Sequence, residues 1–142
     1  MAARKPHLFR GELGEMMLIT PPVGGLAARR VLIIGLGPSD TFTPHRMELV
    51  GSIAYREANQ LGIKHPFFAP AVLDGGVTKF NSGETAESFF SGFLRAQRTE
   101  KVLVDAGEST GRAVEDLAFL AGPTQATDTQ RGLERAVTNS GK

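Results

Sequence analysis

The chain has 142 residues, 41% of them hydrophobic, with nine Phe, one Tyr and no Trp, which is enough apolar material for one folded core and too much for a disordered chain. Sixteen Lys and Arg nearly balance fifteen Asp and Glu, so no strong field draws the chain to nucleic acid or to an anionic membrane. The absence of Cys removes disulfides, thiol nucleophiles and thiolate metal sites, and fits a cytoplasmic setting.

The N-terminal cations Arg4, Lys5 and Arg10 read as a solvated tail over residues 1–12; the apolar residues beside them are interrupted by Arg10, Glu12 and Glu15, so a secretory core is missing. No stretch approaches the ~20 apolar residues of a membrane span. Glu15 to Thr20 reads as a short strand, closed by Pro21-Pro22 and Gly24-Gly25. Val31 to Ile34 is a continuous β-favouring run ended by Gly35-Leu36-Gly37-Pro38, the pattern of a central parallel strand covered on both faces.

Thr43 is placed to cap a helix with Pro44 in its first turn; Met47, Val50, Ala54, Ala58 and Leu61 follow helical spacing, and Gly62 supplies the stop. Phe67-Phe68-Ala69, between Pro66 and Pro70, predicts a second parallel strand, followed by the loop LDGGVTKFNSG. Asn81 with Glu84 three residues later resembles a capping box, and Ala86, Phe89, Phe90, Phe93, Leu94 and Gln97 form the inner stripe of the helix it starts. A third buried strand is expected at Lys101 to Val104. A helix capped by Ser109 or Thr110 follows, with Val114, Leu117, Ala118 and Ala121 on its apolar face and a stop at Gly122-Pro123. Beyond this, residues 123–142 hold few large apolar groups and read as one short helix or a disordered tail.

This alternation predicts an α/β domain over residues 13–122, a three-layer α/β/α sandwich with a mostly parallel sheet. Ligands of such sheets sit beyond the carboxyl ends of the strands. Gly35 and Gly37 in the first loop, and Gly75, Gly76, Lys79 and the helix start at Asn81 and Ser82 in the second, offer backbone N–H groups to a phosphate. The plainer alternative is that these glycines only turn a strand into a helix.

Other chemistry lacks a complete pattern in the sequence. GLGPSD fails the dinucleotide fingerprint because Asp40 stands at its third glycine, and a Walker pattern is absent. No two of His7, His45 and His65 have metal-ligand spacing, and no G-x-S-x-G elbow occurs. Asp74 and Asp105, each expected after a strand, read as turn formers before they read as acid–base or Mg²⁺ groups. No cofactor or metal is implied.

From Arg29 to Val104, with ARRVLIIGLG, EANQLGIKH, the glycine loop and the Phe-rich helix, and with GELGEMMLITPP before them, the chain resembles the amino-terminal domain of cytosolic leucyl aminopeptidases over about two-thirds of its length. Macro domains share that layout, so the resemblance implies a macro-domain-like sheet. It implies no peptidase activity: in that family catalysis belongs to a carboxy-terminal domain with two metal ions, whose NTDAEGR-like segment has no counterpart here. By analogy with macro domains, which hold the diphosphate of ADP-ribose after the corresponding strand, Gly75, Gly76, Val77 and Thr78 become the phosphate contacts. The adenine-side and distal-ribose segments of macro domains have no recognisable counterpart. The resemblance therefore implies a non-catalytic domain acting in binding or assembly, with another protein chain or a second copy as partner. The alternative is a binder, or less readily a hydrolase, of ADP-ribose or a related phosphate-bearing nucleotide.

Overall fold

The structure is a computed structural model and describes residues 8–70, 80–109 and 111–141. The elements run β1 (Met16–Ile19), β2 (Val31–Ile34), α1 (Arg46–Gln60), β3 (Phe67–Phe68), α2 (Ser82–Asp105), β4 (Ala118–Phe119) and α3 (Ala126–Ser140), with a 3-10 turn at Ser39–Thr41. The chain is therefore α/β, but the described residues do not form the expected three-layer sandwich. β1 and β2 pair antiparallel, Met16 opposite Ile34 and Ile19 opposite Val31, and β3 and β4 form a separate parallel pair.

Helix packing organises the molecule. α1 buries Met47, Val50, Gly51, Ile53, Tyr55 and Ala58, and α2 buries Thr85, Ala86, Phe89, Gly92, Phe93 and Ala96 among others. Most of the anticipated stripes are there, with glycine added at each crossing point. α3 lies on the other side of α2 and buries Thr129, Gly132 and Ala136. Phe89, fully buried, stacks on Phe68 of β3 with centroids 3.9 Å apart and meets the edge of Phe119 of β4 at 5.7 Å. One side chain thus ties α2 to both strands of the parallel pair, each aromatic contact adding about 0.5–1.5 kcal/mol beyond its buried area.

Two predicted elements are corrected. Lys101 to Val104 is the last turn of α2, not a buried strand: Val102 is 66% exposed. Between Gly92, which the helix accommodates, and Gly107 there is no Gly or Pro, and Gly107, with a φ of 77°, supplies the left-handed stop. The Gly107 N–H donates to Val104 O at 3.0 Å and the Glu108 N–H to Leu103 O at 2.8 Å, the paired bonds of a Schellman ending. α1 ends in the same way, with Gly62 N–H on Asn59 O and Ile63 N–H on Ala58 O.

The second correction concerns residues 111–121, which are extended, not helical. Their backbone donors go to the β3 chain: Glu115 N–H to Lys64 O at 2.8 Å, Ala118 N–H to Pro66 O at 3.1 Å and Leu120 N–H to Phe68 O at 2.9 Å. A helix would have had to use those donors itself.

The strand expectations are met only in position. Val31 to Ile34 is half-buried and antiparallel to β1, not a central parallel strand. Phe67 is 58% exposed although Phe68 packs on the core.

Candidate functional site

Gly35 and Gly37 lie in the turn after β2, against the segment that leads into β1. The Gly35 N–H donates to Glu15 O at 2.8 Å and the Gly37 N–H to Gly11 O at 2.9 Å, while Gly14 N–H returns a bond to Gly35 O. A Cβ on Gly35 would lie 2.1 Å from Glu12 O, so the crossing of these two backbones requires glycine. The outward face of the turn holds a cation from within the chain. Arg46 donates from Nη1 to Leu36 O and Pro38 O at 3.4 and 3.3 Å, and from Nη2 to Thr41 Oγ1 at 2.8 Å. Both glycine amides that the sequence offers to an anion are engaged inside the fold.

The second group of candidates is divided. Gly75, Gly76, Val77, Thr78 and Lys79, and Asp74 with them, lie outside the described residues. Asn81 and Ser82 stand at the start of α2. Asn81 is the N-cap: its Oδ1 accepts from Gly83 N–H at 2.6 Å, satisfying one of the unpaired donors of the first turn. Its Nδ2 donates to Asp128 Oδ2 at 3.3 Å, which brings a carboxylate of α3 to the start of α2. The two helices meet so closely there that a Cβ on Gly132 would fall 2.0 Å from Gly83 O.

Beside this junction, beyond the carboxyl ends of the parallel strands β3 and β4, opens a cleft of about 90 Å³. Pro70, Phe80, Phe119 and Leu120 make its apolar walls. Ser82, Thr85, Gln125 and Thr129 bring its polar groups, two from the start of α2 and two from the start of α3. Ser82 was legible as a candidate. Gln125 and Thr129 were not, because they belong to the stretch read as a short helix or tail.

The remaining polar candidates are dispersed. His45 is exposed, with Nδ1 3.6 Å from Glu48 Oε1. Among the described residues, no three His, Asp or Glu side chains gather as a metal-binding group. His65 sits between two carboxylates, Nδ1 at 2.8 Å from Asp116 Oδ2 and Nε2 at 3.7 Å from Glu115 Oε2. The carboxylates approach opposite nitrogens of the ring, so they brace the start of β3 and share no coordination point. Asp105, expected after a strand, is the last residue of α2. No helix among the described residues is long and apolar enough to cross a membrane.

Residues 2–99 match the family model described as the N-terminal domain of the cytosol aminopeptidase family. A protein of Acidobacterium capsulatum named "Probable cytosol aminopeptidase" is 32% identical over 100 residues, covering 67% of this chain and 20% of that protein. The chain thus spans about a fifth of the length of the curated relative it matches. The matched residues contain β1, β2, α1, β3 and most of α2.

Proposed function

The chain belongs to the cytosol aminopeptidase family through its N-terminal domain, and we propose that it acts there as a non-catalytic module for binding or assembly. The observation that carries this reading is the ribbon of β1 and β2. All eight residues, Met16, Met17, Leu18, Ile19 and Val31 to Ile34, are apolar, and none is buried. An apolar ribbon left partly open in this way, with Ile34 packed against the core, is ordinarily covered by another protein surface. Self-assembly is its simplest form.

Light scattering on the eluting chain tests this directly. Association that rises with concentration and is lost in Leu18→Lys, with the helical spectrum unchanged, is the expected result. A chain that stays monomeric at every concentration counts against assembly as its role. The same preparation should not hydrolyse leucine amide with added Mn²⁺ or Zn²⁺; turnover that survives repurification and vanishes with a chelator would reject the non-catalytic reading.

A second reading, a macro-domain-like binder of ADP-ribose or another phosphate-bearing nucleotide, is favoured by one observation, the position of the cleft at the start of α2. Titration calorimetry with ADP-ribose decides it, a measurable heat of binding being required.

A further inference from the structure

The open edge of β1 is fixed by the phase of its hydrogen bonds. The Gly35 N–H donates to Glu15 O, and the pairs that follow are Met16 with Ile34, Met17 with Ile33, Leu18 with Leu32 and Ile19 with Val31. Bonded and non-bonded pairs alternate along an antiparallel ladder, so Met17 and Ile19 turn their backbone groups toward β2. Met16 and Leu18 turn theirs the other way. The sheet has only these two strands, and neither residue makes a backbone bond elsewhere among the described residues. Two N–H and two C=O groups thus lie along an unpaired edge, beside side chains that are 45% and 49% exposed.

Proteins ordinarily guard such an edge with a charge, a Pro or a bulge. Within β1 there is none: MMLI is apolar throughout, and Pro21-Pro22 stand beyond its end. At its other end, Glu15 has its carboxylate turned back onto the N–H groups of Arg10 and Glu12. The outer edge of β2 is less available, since each of its residues is half-buried. The free groups of β1 are also symmetric about Met17, one donor and one acceptor on either side. An antiparallel copy of the same edge meets them in kind, with Met16 opposite Leu18 of the second copy, Met17 opposite Met17, and Glu15 opposite Ile19. A parallel copy would set Glu15 beside Glu15, and like charges so placed are unfavourable.

We propose that β1 pairs edge to edge with the β1 of a second copy about a two-fold axis through Met17, giving a four-stranded antiparallel sheet in the order β2-β1-β1-β2. Such a contact is isologous and closes at two chains, so the product is a dimer and not a fibre. The proposal rests on the reading of the chain as a self-assembling module and adds to it the edge, the register and the symmetry.

Two kinds of variant of the full chain test it. Leu18→Pro removes an outward N–H and leaves an apolar ring in its place, and Pro is tolerated on an edge strand where the N–H does not bond within the sheet. Light scattering should show its dimer weakened at least about tenfold relative to wild type, with the helical spectrum retained. A contact made by stacking ribbon faces needs no donor there and would survive. The chain has no Cys, so single substitutions report proximity through disulfide formation. Met17→Cys would face its own copy in a non-bonded pair, about 4.5 Å between Cα atoms, which is within disulfide reach, and it should cross-link in mild oxidant. Ile33→Cys, across from Met17 on the same face, would lie three strand spacings from its copy, about 14 Å, and should not cross-link; stacked faces would link it as readily. If Leu18→Pro does not fold, the two cysteine variants decide alone. Undiminished association in a folded Leu18→Pro, no link at Met17→Cys, or an equal link at Ile33→Cys overturns the edge contact and leaves self-assembly standing. A wild type that stays monomeric at every concentration removes the self-assembly reading and this contact together.

Discussion

Gly51 of α1 and Gly92 of α2 stand where the two helices cross, with the backbones in direct contact. A Cβ on Gly51 would lie 1.8 Å from Phe89 O, and one on Gly92 would lie 1.9 Å from Glu48 O. Each glycine admits the carbonyl of the opposing helix, so the pair sets the interhelical distance on which Tyr55, Phe89 and Phe93 are packed. Alanine is a better helix former than glycine by about 1 kcal/mol. Even so, Gly51→Ala or Gly92→Ala should destabilise the chain by about 2 kcal/mol or more, because a rigid backbone cannot yield as a side chain would. Urea unfolding checks this, with exposed Gln60→Ala as a control expected to change stability by less than about 0.5 kcal/mol. A neutral Gly92→Ala would show that the crossing is looser than the structure has it.

Tyr55 supplies a test with a pH axis. Its ring is fully buried against Phe93, with centroids 5.2 Å apart, and its hydroxyl has no partner among the described residues. Removing that oxygen removes an unmet donor, so Tyr55→Phe should leave stability unchanged or raise it by up to about 1 kcal/mol. Burial, aided by the nearby Glu100 carboxylate and opposed by Arg112, pushes the phenol above its ordinary value of 10.0. Above pH 10 the unfolded chain therefore loses the Tyr55 proton before the folded chain does. Stability is lost as pH rises from the unfolded value toward the raised folded one. The wild-type chain should show a decline in this window that Tyr55→Phe reduces, measured by urea midpoints from pH 8 upward. Equal slopes in the two proteins would contradict the burial of this phenol.

How much of this was legible follows from where the deciding interactions lie. α1 could be read because its stripe and its stop, Met47 to Gly62, are local, and the start of α2 could be read because Asn81 bonds a donor two residues away. The end of α2 was hidden by Val102, Leu103 and Val104, which look like a strand, while the stop is set by a glycine further on, Gly107. Residues 111–121 carry apolar groups at helical spacing, yet the carbonyls of Lys64, Pro66 and Phe68, some fifty residues away, take their donors. α3 escaped notice as a packed helix because Gly132 and Ala136, not large side chains, make its contact with α2. The cleft inherited that blindness: of its polar lining, Ser82 stood among the candidates read from the sequence, and Gln125 and Thr129 did not.

Asn81 joins two helices, and its two roles can be separated. Asn81→Ala should cost about 1 kcal/mol through loss of the cap. Asn81→Asp keeps an oxygen for Gly83 N–H but loses the donor to Asp128 and sets two carboxylates face to face. It should therefore be less stable than Asn81→Ser at neutral pH, and the gap should narrow when both carboxylates are protonated, near pH 3. Thermal melts of the three variants at the two pH values measure the difference; a gap that does not change with pH would remove Asp128 from the account.

The turn after β2 provides the last prediction, because one substitution there distinguishes a strut from a ligand cradle. In a cradle, the amides of Gly35 and Gly37 would await an anion. Here they are spent on Glu15 O and Gly11 O, and the Arg46 guanidinium fills the carbonyl side of the turn. A Cβ at residue 35 would collide with the backbone at Glu12 and Gly11, forcing the segment before β1 away and breaking the bonds at Gly14, Gly35 and Gly37. Gly35→Ala should therefore destabilise the chain by about 2–3 kcal/mol. Arg46→Met should cost about 1 kcal/mol, since its charged hydrogen bonds are only partly shielded from water. Neither ADP-ribose nor phosphate should raise the melting temperature of the wild type through this turn, because a ligand stabilises only in proportion to how tightly it binds the folded form. The contrary result has a clear form: a phosphate-dependent rise in the wild type that disappears in Gly35→Ala while the ligand-free stability of the variant is unchanged. That would make the turn a binding loop, and the bonds from Gly35 and Gly37 to the β1 segment would have to open when the anion enters.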